Sequence, residues 1–366
     1  LVKSGAVSSG YHLADDHEIL RIGKDLSTDG TGLTGTLAKW VKRDFNIRFR
    51  PFYYIHRIVA VYLFDANFRH LAIYIGILSV LTLLFLYLSC SRLGFNFYES
   101  IFFSFFALVG LQFEVWWRLG PSETIGTFLL SVTLFFLVLS VSAKRKRLLY
   151  EILFLFSALL ASMCKESYIL TLPAMAILKC YLSKTRESLS YYETIKRNLL
   201  TVATLSLVFL TEIFFILFYV GTAKIGYAGV DRGTSLQSIV RSFADFMSWG
   251  SVPFWIVLVA LCLLTLSAFA AKFKAEALKT IWLEKKKIFM AVIFIFLVLA
   301  PQLFIYSESG FKPRYILPGT LAVSVGIVFF LKSLRVYKLK VAYLIAVVFL
   351  SGVCLADMFH SYKKAG

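Results

Sequence analysis

Apolar residues in this chain come in long unbroken runs, and the charged residues come in short bursts between them. From about residue 70 onward, runs rich in Leu, Phe, Val and Ile recur near 70–90, 99–117, 123–142, 148–164, 167–182, 198–221, 252–271, 288–306, 312–332 and 340–358. Most approach the roughly 20 residues that a helix needs to cross hydrocarbon. Inside the runs apolar and polar positions do not alternate, as the strands of a membrane β-barrel would require. The pattern predicts an all-α fold, a polytopic transmembrane helical bundle with about ten spans.

Residues 1–69 have a different rhythm and are expected to form an external first loop, ahead of a transmembrane helical domain at 70–366. His17 to Leu26 carries apolar residues at helical spacing (Ile19, Leu20, Ile22, Leu26), and Ser27 to Gly32 reads as a loop. Pro51 then opens Phe52 to Phe64, whose mixture of Tyr, His, Arg and aliphatic residues predicts an amphipathic helix lying in the membrane interface. His56 and Arg57 disfavour a span there.

Charge fixes the direction of the weave. Four basic clusters fall in alternate loops: Lys144 to Arg147; Lys184, Arg186, Lys196 and Arg197; Lys272 to Lys287; and Lys332 to Lys340. That side is cytoplasmic under the positive-inside rule. The opposite side holds residues 1–69, the 114–124 and 164–167 turns, the 221–251 loop and the 306–314 turn. Since the chain opens at Leu1 on the outside, a preceding span is expected, making eleven in all.

Composition narrows the class further. With 59% hydrophobic and 16% charged residues, and a mean hydropathy of +0.76, the chain lies outside the range of soluble domains. A net charge of +18 would suggest nucleic acid in a soluble protein. Here it is explained by topology, with some capacity for anionic lipid or phosphate, and no nucleic-acid partner is expected. Five scattered cysteines suggest neither a zinc site nor a disulfide framework.

Chemistry concentrates on the outer side. Asp15 and Asp16 form a carboxylate pair flanked by His12, His17 and Glu18, a group that must sit in water at the membrane surface. The 114–124 turn carries Glu114, Trp116, Trp117 and Arg118; the tryptophans suit interface anchors, and Glu114 and Arg118 are spaced to pair on a helix end. Lys165 and Glu166 are squeezed between two apolar runs, where charge is costly unless it faces a water-filled cavity or a ligand. Lys165 suits a point charge for phosphate, or a snorkelling lysine paired with Glu166. Glu212 lies inside a span, as a site acid or as a hydrogen bond to a neighbouring helix. Arg314 and Tyr315 follow Pro313 at the start of a late span, with Arg314 suited to a bidentate grip on phosphate or to simple snorkelling.

These outer acids and cations fit proton removal from an acceptor hydroxyl by a carboxylate, with charge on a departing phosphate stabilised by cations. The pattern resembles the GT-C glycosyltransferases, including the protein O-mannosyltransferase branch and the bacterial aminoarabinose and cell-envelope transferases. The resemblance rests on Asp15-Asp16 in a long first external loop with interfacial helices, on Glu114 before Trp116-Trp117-Arg118, on Lys165-Glu166, and on Pro313-Arg314-Tyr315 with Leu317-Pro318. It covers nearly the whole topology through motifs of two to four residues each. The absence of a large C-terminal external domain departs from it and leaves the 221–251 loop, a lid or a plain connection, as the place for acceptor recognition.

The resemblance implies an inverting transferase that moves a monosaccharide from a polyprenyl-phosphate donor to an outer-face glycan, lipid or protein. Asp15 or Asp16 would be the base, Asp15 ahead by family position, with Glu114 a third site acid. Arg118, Lys165, Glu166, Arg314, Tyr315 and His17 would bind substrate. A divalent cation, Mg or Mn, held by Asp15 and Glu114 is left open. The location implied is a bacterial inner membrane with the site facing the periplasm, or alternatively the endoplasmic reticulum membrane. A lipid-linked glycan flippase should show inverted repeats or broken spans, and a glycan polymerase or ligase a large late external loop; neither is evident in the sequence.

Overall fold

A computed structural model describes residues 16–28, 32–106, 115–116, 118–143, 145–220, 236–248, 289, 292–306, 313–333 and 352. Every regular element among them is helical. Three helices are long and apolar enough to cross a membrane: Phe68–Arg92, Ser122–Ser142 and Tyr191–Val220. The chain divides into two compact units, Leu1–Arg92 with Glu114–Thr234, and Leu93–Phe113 with Ser235–Gly366.

In the first unit, α1 (His17–Thr28), α2 (Gly32–Phe45) and α3 (Pro51–Leu63) precede the long α4 (Phe68–Arg92). Helix α1 follows the rhythm read from the sequence and buries Ile19 and Ile22 against Trp40, Tyr53, Tyr54 and Ile58. Helix α2 was not anticipated; its Trp40 stacks on Tyr54 with centroids 5.8 Å apart and donates its indole N–H to Asp25 Oδ2 at 2.8 Å. Helix α3 begins where Pro51 presets φ and needs no hydrogen bond. Asp65 (φ 50°) and Ala66 (φ 53°) then reverse the chain through the left-handed region. Asn67 caps α4 by accepting the N–H groups of Arg69 at 3.0 Å and His70 at 3.2 Å.

The remainder of this unit is α6 (Ser122–Ser142), α7 (Arg147–Ser162), the short α8 (Glu166–Ile169), α9 (Leu172–Glu187) and α10 (Tyr191–Phe214). The run 167–182 is interrupted: Lys165 is fully extended, α8 makes one turn, and α9 restarts with Pro173 in its first turn. Proline disfavours helix in the residue before it, so the apolar run conceals the break. Ser190 and Glu193 form a reciprocal capping box that starts α10. Helix α10 ends in a π-turn, Phe215–Val220, and leaves Leu207, Leu210 and Phe214 exposed, an apolar surface suited to lipid.

The two ends of this bundle are chemically distinct. At one end, α3 and the turns before α6 and α8 meet through Tyr53, Arg57, Glu123 and Lys165. At the other, Glu187 pairs with Arg147 at 3.1 Å and Arg197 at 2.5 Å, and Arg186 donates to the Arg92 carbonyl. Among the described residues of this unit, the turns before α6 and α8 thus meet α3 at one end, and the 145–147 and 184–197 segments meet at the other.

The second unit contains α5 (Phe97–Phe106), α11 (Leu236–Ser248), α12 (Val292–Ile305), a 3-10 turn (Pro313–Ile316) and α13 (Leu317–Ser333). Asn96 and Glu99 cap the start of α5 reciprocally, both bonds at 2.9 Å. Ser242 of α11 donates to the Leu303 carbonyl at 3.1 Å, and Gln302 Oε1 accepts the Gly319 N–H at 3.2 Å. Part of the 221–251 segment is therefore helical. The run at 252–271, nearly all of 340–358 and the later part of 99–117 lie outside the described residues.

Candidate functional site

The polar end of the first unit is built on the first turn of α6. Glu123, 3% exposed, receives the Lys165 ammonium on Oε1, and Lys165 is 1% exposed. The same residue's carbonyl accepts the Tyr168 hydroxyl at 3.0 Å, and Tyr168 also shares a 2.7 Å hydrogen bond with Thr127. This close seating needs Gly126, where a Cβ would lie 2.7 Å from the Tyr168 ring. Val115 is fastened to the same turn, its carbonyl accepting Thr124 Oγ1 at 2.7 Å. The 115–116 turn and the 165–168 segment are thus anchored to one helix start.

Helix α3 adds two further ion pairs. Arg57, buried on α3, donates to Glu18 Oε2 at 2.8 Å and also to the Tyr53 hydroxyl. Tyr53 in turn donates to the Gly120 carbonyl at 2.6 Å, and Arg57 reaches the same carbonyl at 3.4 Å. The acidic segment of α1 and the 118–121 turn are therefore tied together through α3. Just upstream, Asp44 accepts the Arg50 backbone N–H at 2.8 Å and its guanidinium at 2.7 and 3.2 Å. The Arg50 guanidinium lies over the rings of Tyr53 and Tyr54.

Burial sets the electrostatics of this cluster. It pushes Lys165 down to about 8, against the opposing pull of Glu123 and Glu166. Burial raises Asp44 despite Arg50, and it drives Tyr54 up to about 12. His56 falls to about 4 through burial and the neighbouring Arg57, so it is neutral at pH 7; its Nε2 and Tyr74 Oη lie 2.7 Å apart. A cavity of about 40 Å³ lies beside these groups, lined by His56, Arg57, Tyr53 and Tyr74 and by aliphatic residues of α4 and α6 such as Leu71 and Ile125.

The sequence candidates divide as follows. Asp16 is fully buried at the start of α1 rather than in water as its charge suggested, and its carbonyl accepts the Ile19 N–H at 3.0 Å. Lys165 and Glu166 both lie in the cluster, but Lys165 pairs with Glu123 rather than with its neighbour. Arg118 is half-buried in the turn that Arg57 and Tyr53 hold, and His17 is exposed on α1. Asp15, Glu114 and Trp117 lie outside the described residues. Arg314 and Tyr315 belong to the second unit, where the Arg314 guanidinium lies 5.2 Å from the centre of the Tyr315 ring, itself 5.0 Å from Tyr306. Glu212 accepts the Ser162 hydroxyl at 2.8 Å, the interhelical bond that was one of its two sequence readings.

Neither a family model, nor a curated protein, nor a solved structure matches this chain.

Glu123, Arg57, Asp44 and Arg50 were not among the site residues expected from the sequence, and none of the pairs Lys165–Glu123, Glu18–Arg57 and Asp44–Arg50 was foreseen. The signal available for Arg57 was a lone cation in an otherwise aromatic and aliphatic helix, which calls for an inward partner. Among the described residues, no three His, Cys, Asp or Glu side chains come together as a metal site. Asp15 and Glu114, the acids considered for a divalent cation, lie outside those residues.

Proposed function

We propose that the chain is an integral membrane glycosyltransferase of the GT-C type, taking a monosaccharide from a polyprenyl-phosphate donor. The observation that carries this is a buried set of carboxylate–cation pairs gathered at one end of helices long enough to cross a membrane. Lys165–Glu123, Arg57–Glu18 and Arg50–Asp44 join the acidic N-terminal segment to the turns before α6 and α8. Keeping this much charge out of water is expensive and is suited to handling a charged substrate at a membrane boundary.

In the proposed reaction Asp15 or Asp16 takes the proton of an acceptor hydroxyl. The oxygen attacks the anomeric carbon from the face opposite the phosphate, a C–O bond forms there, and the sugar–phosphate C–O bond breaks with its electron pair leaving on the phosphate. Lys165, protonated below about pH 8, stabilises that charge, assisted by Arg118. Glu114, Arg314 and Tyr315 remain further substrate-handling candidates that rest on the sequence resemblance alone. The acceptor is an outer-face glycan, lipid or protein. The setting is a bacterial inner membrane with the site facing the periplasm, or the endoplasmic reticulum membrane with the site in the lumen.

The test is to reconstitute the full chain in liposomes with labelled polyprenyl-phosphate sugars. One polyprenyl phosphate released per sugar transferred, with inverted anomeric configuration, supports the proposal. Label crossing the bilayer still attached to its lipid would instead identify a flippase.

A further inference from the structure

At the end of the first unit where Glu187 lies, two hairpin turns meet. Lys146 (φ 59°) turns α6 into α7 and Ser188 (φ 53°) turns α9 into α10, each through the left-handed region. Glu187 binds the turns together, pairing with Arg147 of one at 3.1 Å and with Arg197 of the other at 2.5 Å. Arg186 beside it donates to the Arg92 carbonyl at the end of α4. Arg145, Lys146 and Lys196 are sequence neighbours of the two bridged arginines. All three are exposed, and among the described residues they make no ion pair. Lys184 lies over the Tyr191 ring.

The nearby acids are already committed. Glu187 serves two arginines, Glu193 serves the cap at Ser190, and Glu151, one turn along α7, serves Lys179 and Thr201. A surplus of positive charge is therefore held on one face by that face's own bridges. Apolar surface adjoins it. Leu148, Tyr191, Tyr192 and Leu200 are 72% to 76% exposed. Helix α10 runs on from there as a segment apolar and long enough to cross a membrane. Tyrosines and cations thus come first along α10 and aliphatic residues follow, the order of headgroup zone and hydrocarbon in a lipid leaflet. A nucleic acid or an acidic protein would meet the cations and leave the aliphatic side chains in water. A lipid carrying a phosphate uses both.

We propose that the face formed by the 145–149 and 184–200 segments binds anionic phospholipid. Phosphodiester headgroups sit among Arg145, Lys146 and Lys196, and acyl chains lie along the exposed leucines of α7 and α10. This surface is separate from the groups around Lys165 and does not depend on the transferase reading.

The test is native mass spectrometry of the full chain in detergent, offered equal amounts of phosphatidylglycerol and phosphatidylcholine. Each cation held near an anionic lipid contributes about fivefold to its retention. The wild type should retain phosphatidylglycerol at least about tenfold over phosphatidylcholine. The triple variant Arg145→Gln, Lys146→Gln, Lys196→Gln should hold the two lipids about equally, whereas Arg145→Lys with Lys146→Arg and Lys196→Arg should keep the preference. Unchanged melting temperatures certify folding, as expected for exposed side chains, and the single variant Lys196→Glu should already weaken the preference several-fold. A photoactivatable phosphatidylglycerol should cross-link to peptides spanning 145–149 and 184–200. Equal retention of both lipids by the wild type overturns the proposal, as does a preference that survives in the triple variant. Cross-links confined to other segments overturn it too. Displacement of the lipid by inorganic phosphate, by an oligonucleotide or by polyglutamate would show that the acyl chains play no part, and would also overturn it.

Discussion

Replacing Glu123 by Gln strands the Lys165 ammonium in a site where its side chain is only 2% exposed. Breaking a buried ion pair from one side costs about 3–5 kcal/mol, because the surviving charge loses its partner and does not regain water. Lys165 has an escape. Its fall from 10.5 to about 8 represents roughly 3 kcal/mol in favour of the neutral amine, with Glu123 still present. Without Glu123 it falls further, so deprotonation near neutral pH is easy and caps the loss near the lower bound, about 3 kcal/mol. The sign of the pH dependence follows. A lysine whose folded value is depressed penalises the folded state most at pH values below that value, and the penalty fades as pH rises towards 10.5. Glu123→Gln should therefore be more damaging at pH 6 than at pH 9. Lys165→Met leaves the Glu123 carboxylate buried and should cost a similar amount, whereas Glu123→Gln with Lys165→Met should recover most of the loss. Thermal unfolding in detergent, followed by intrinsic fluorescence from pH 6 to 9, measures all four proteins. Additive losses in the double variant, or single losses below about 0.5 kcal/mol, the range of ordinary surface changes, would refute the coupling.

Other consequences are sharp enough to check. Gly126→Ala forces a methyl against the Tyr168 ring and should cost about 1–3 kcal/mol by thermal unfolding, with much of the loss recovered when Tyr168→Leu is added. Arg57→Met releases Glu18 and the Gly120 carbonyl, and should speed limited proteolysis within α1 several-fold while leaving cleavage near Glu187 unchanged. Transfer activity should hold between pH 6 and 8 and fall above about 8 as Lys165 loses its proton; in Lys165→Arg, any surviving activity should lack that alkaline limb.

Much of the first unit was legible because hydrophobic runs and charge bursts obey separate rules. Chain topology read from Lys144 to Arg147 and from Lys184 to Arg197 agrees with the end at which Arg147, Glu187 and Arg197 meet. The α1 rhythm and the Pro51 start of α3 were visible for similar reasons of periodicity and fixed φ. Helix α2 was not, because Gly32, Thr34, Gly35 and Thr36 disguise its first turns and Trp40 finds partners on α1 and α3 that lie apart from it in sequence. The break between α8 and α9 was hidden because apolar composition continues across it while the backbone turns ahead of Pro173. Side-chain partnership was the least legible property. Lys165 looked paired with adjacent Glu166, yet an extended residue followed by a helix start points consecutive side chains apart, and the long lysine reaches α6 instead.

The central claim is that the acidic N-terminal segment and Lys165 serve one phosphate-linked sugar. Single-turnover release of polyprenyl phosphate from a labelled donor tests it most directly, comparing wild type with Asp15→Asn, Asp16→Asn and Lys165→Met in the same liposomes. The account predicts stoichiometric release by the wild type, loss of at least about a hundredfold in one aspartate variant, and slowed release in Lys165→Met. Full activity in both aspartate variants, or a donor that the wild type never consumes, would contradict it.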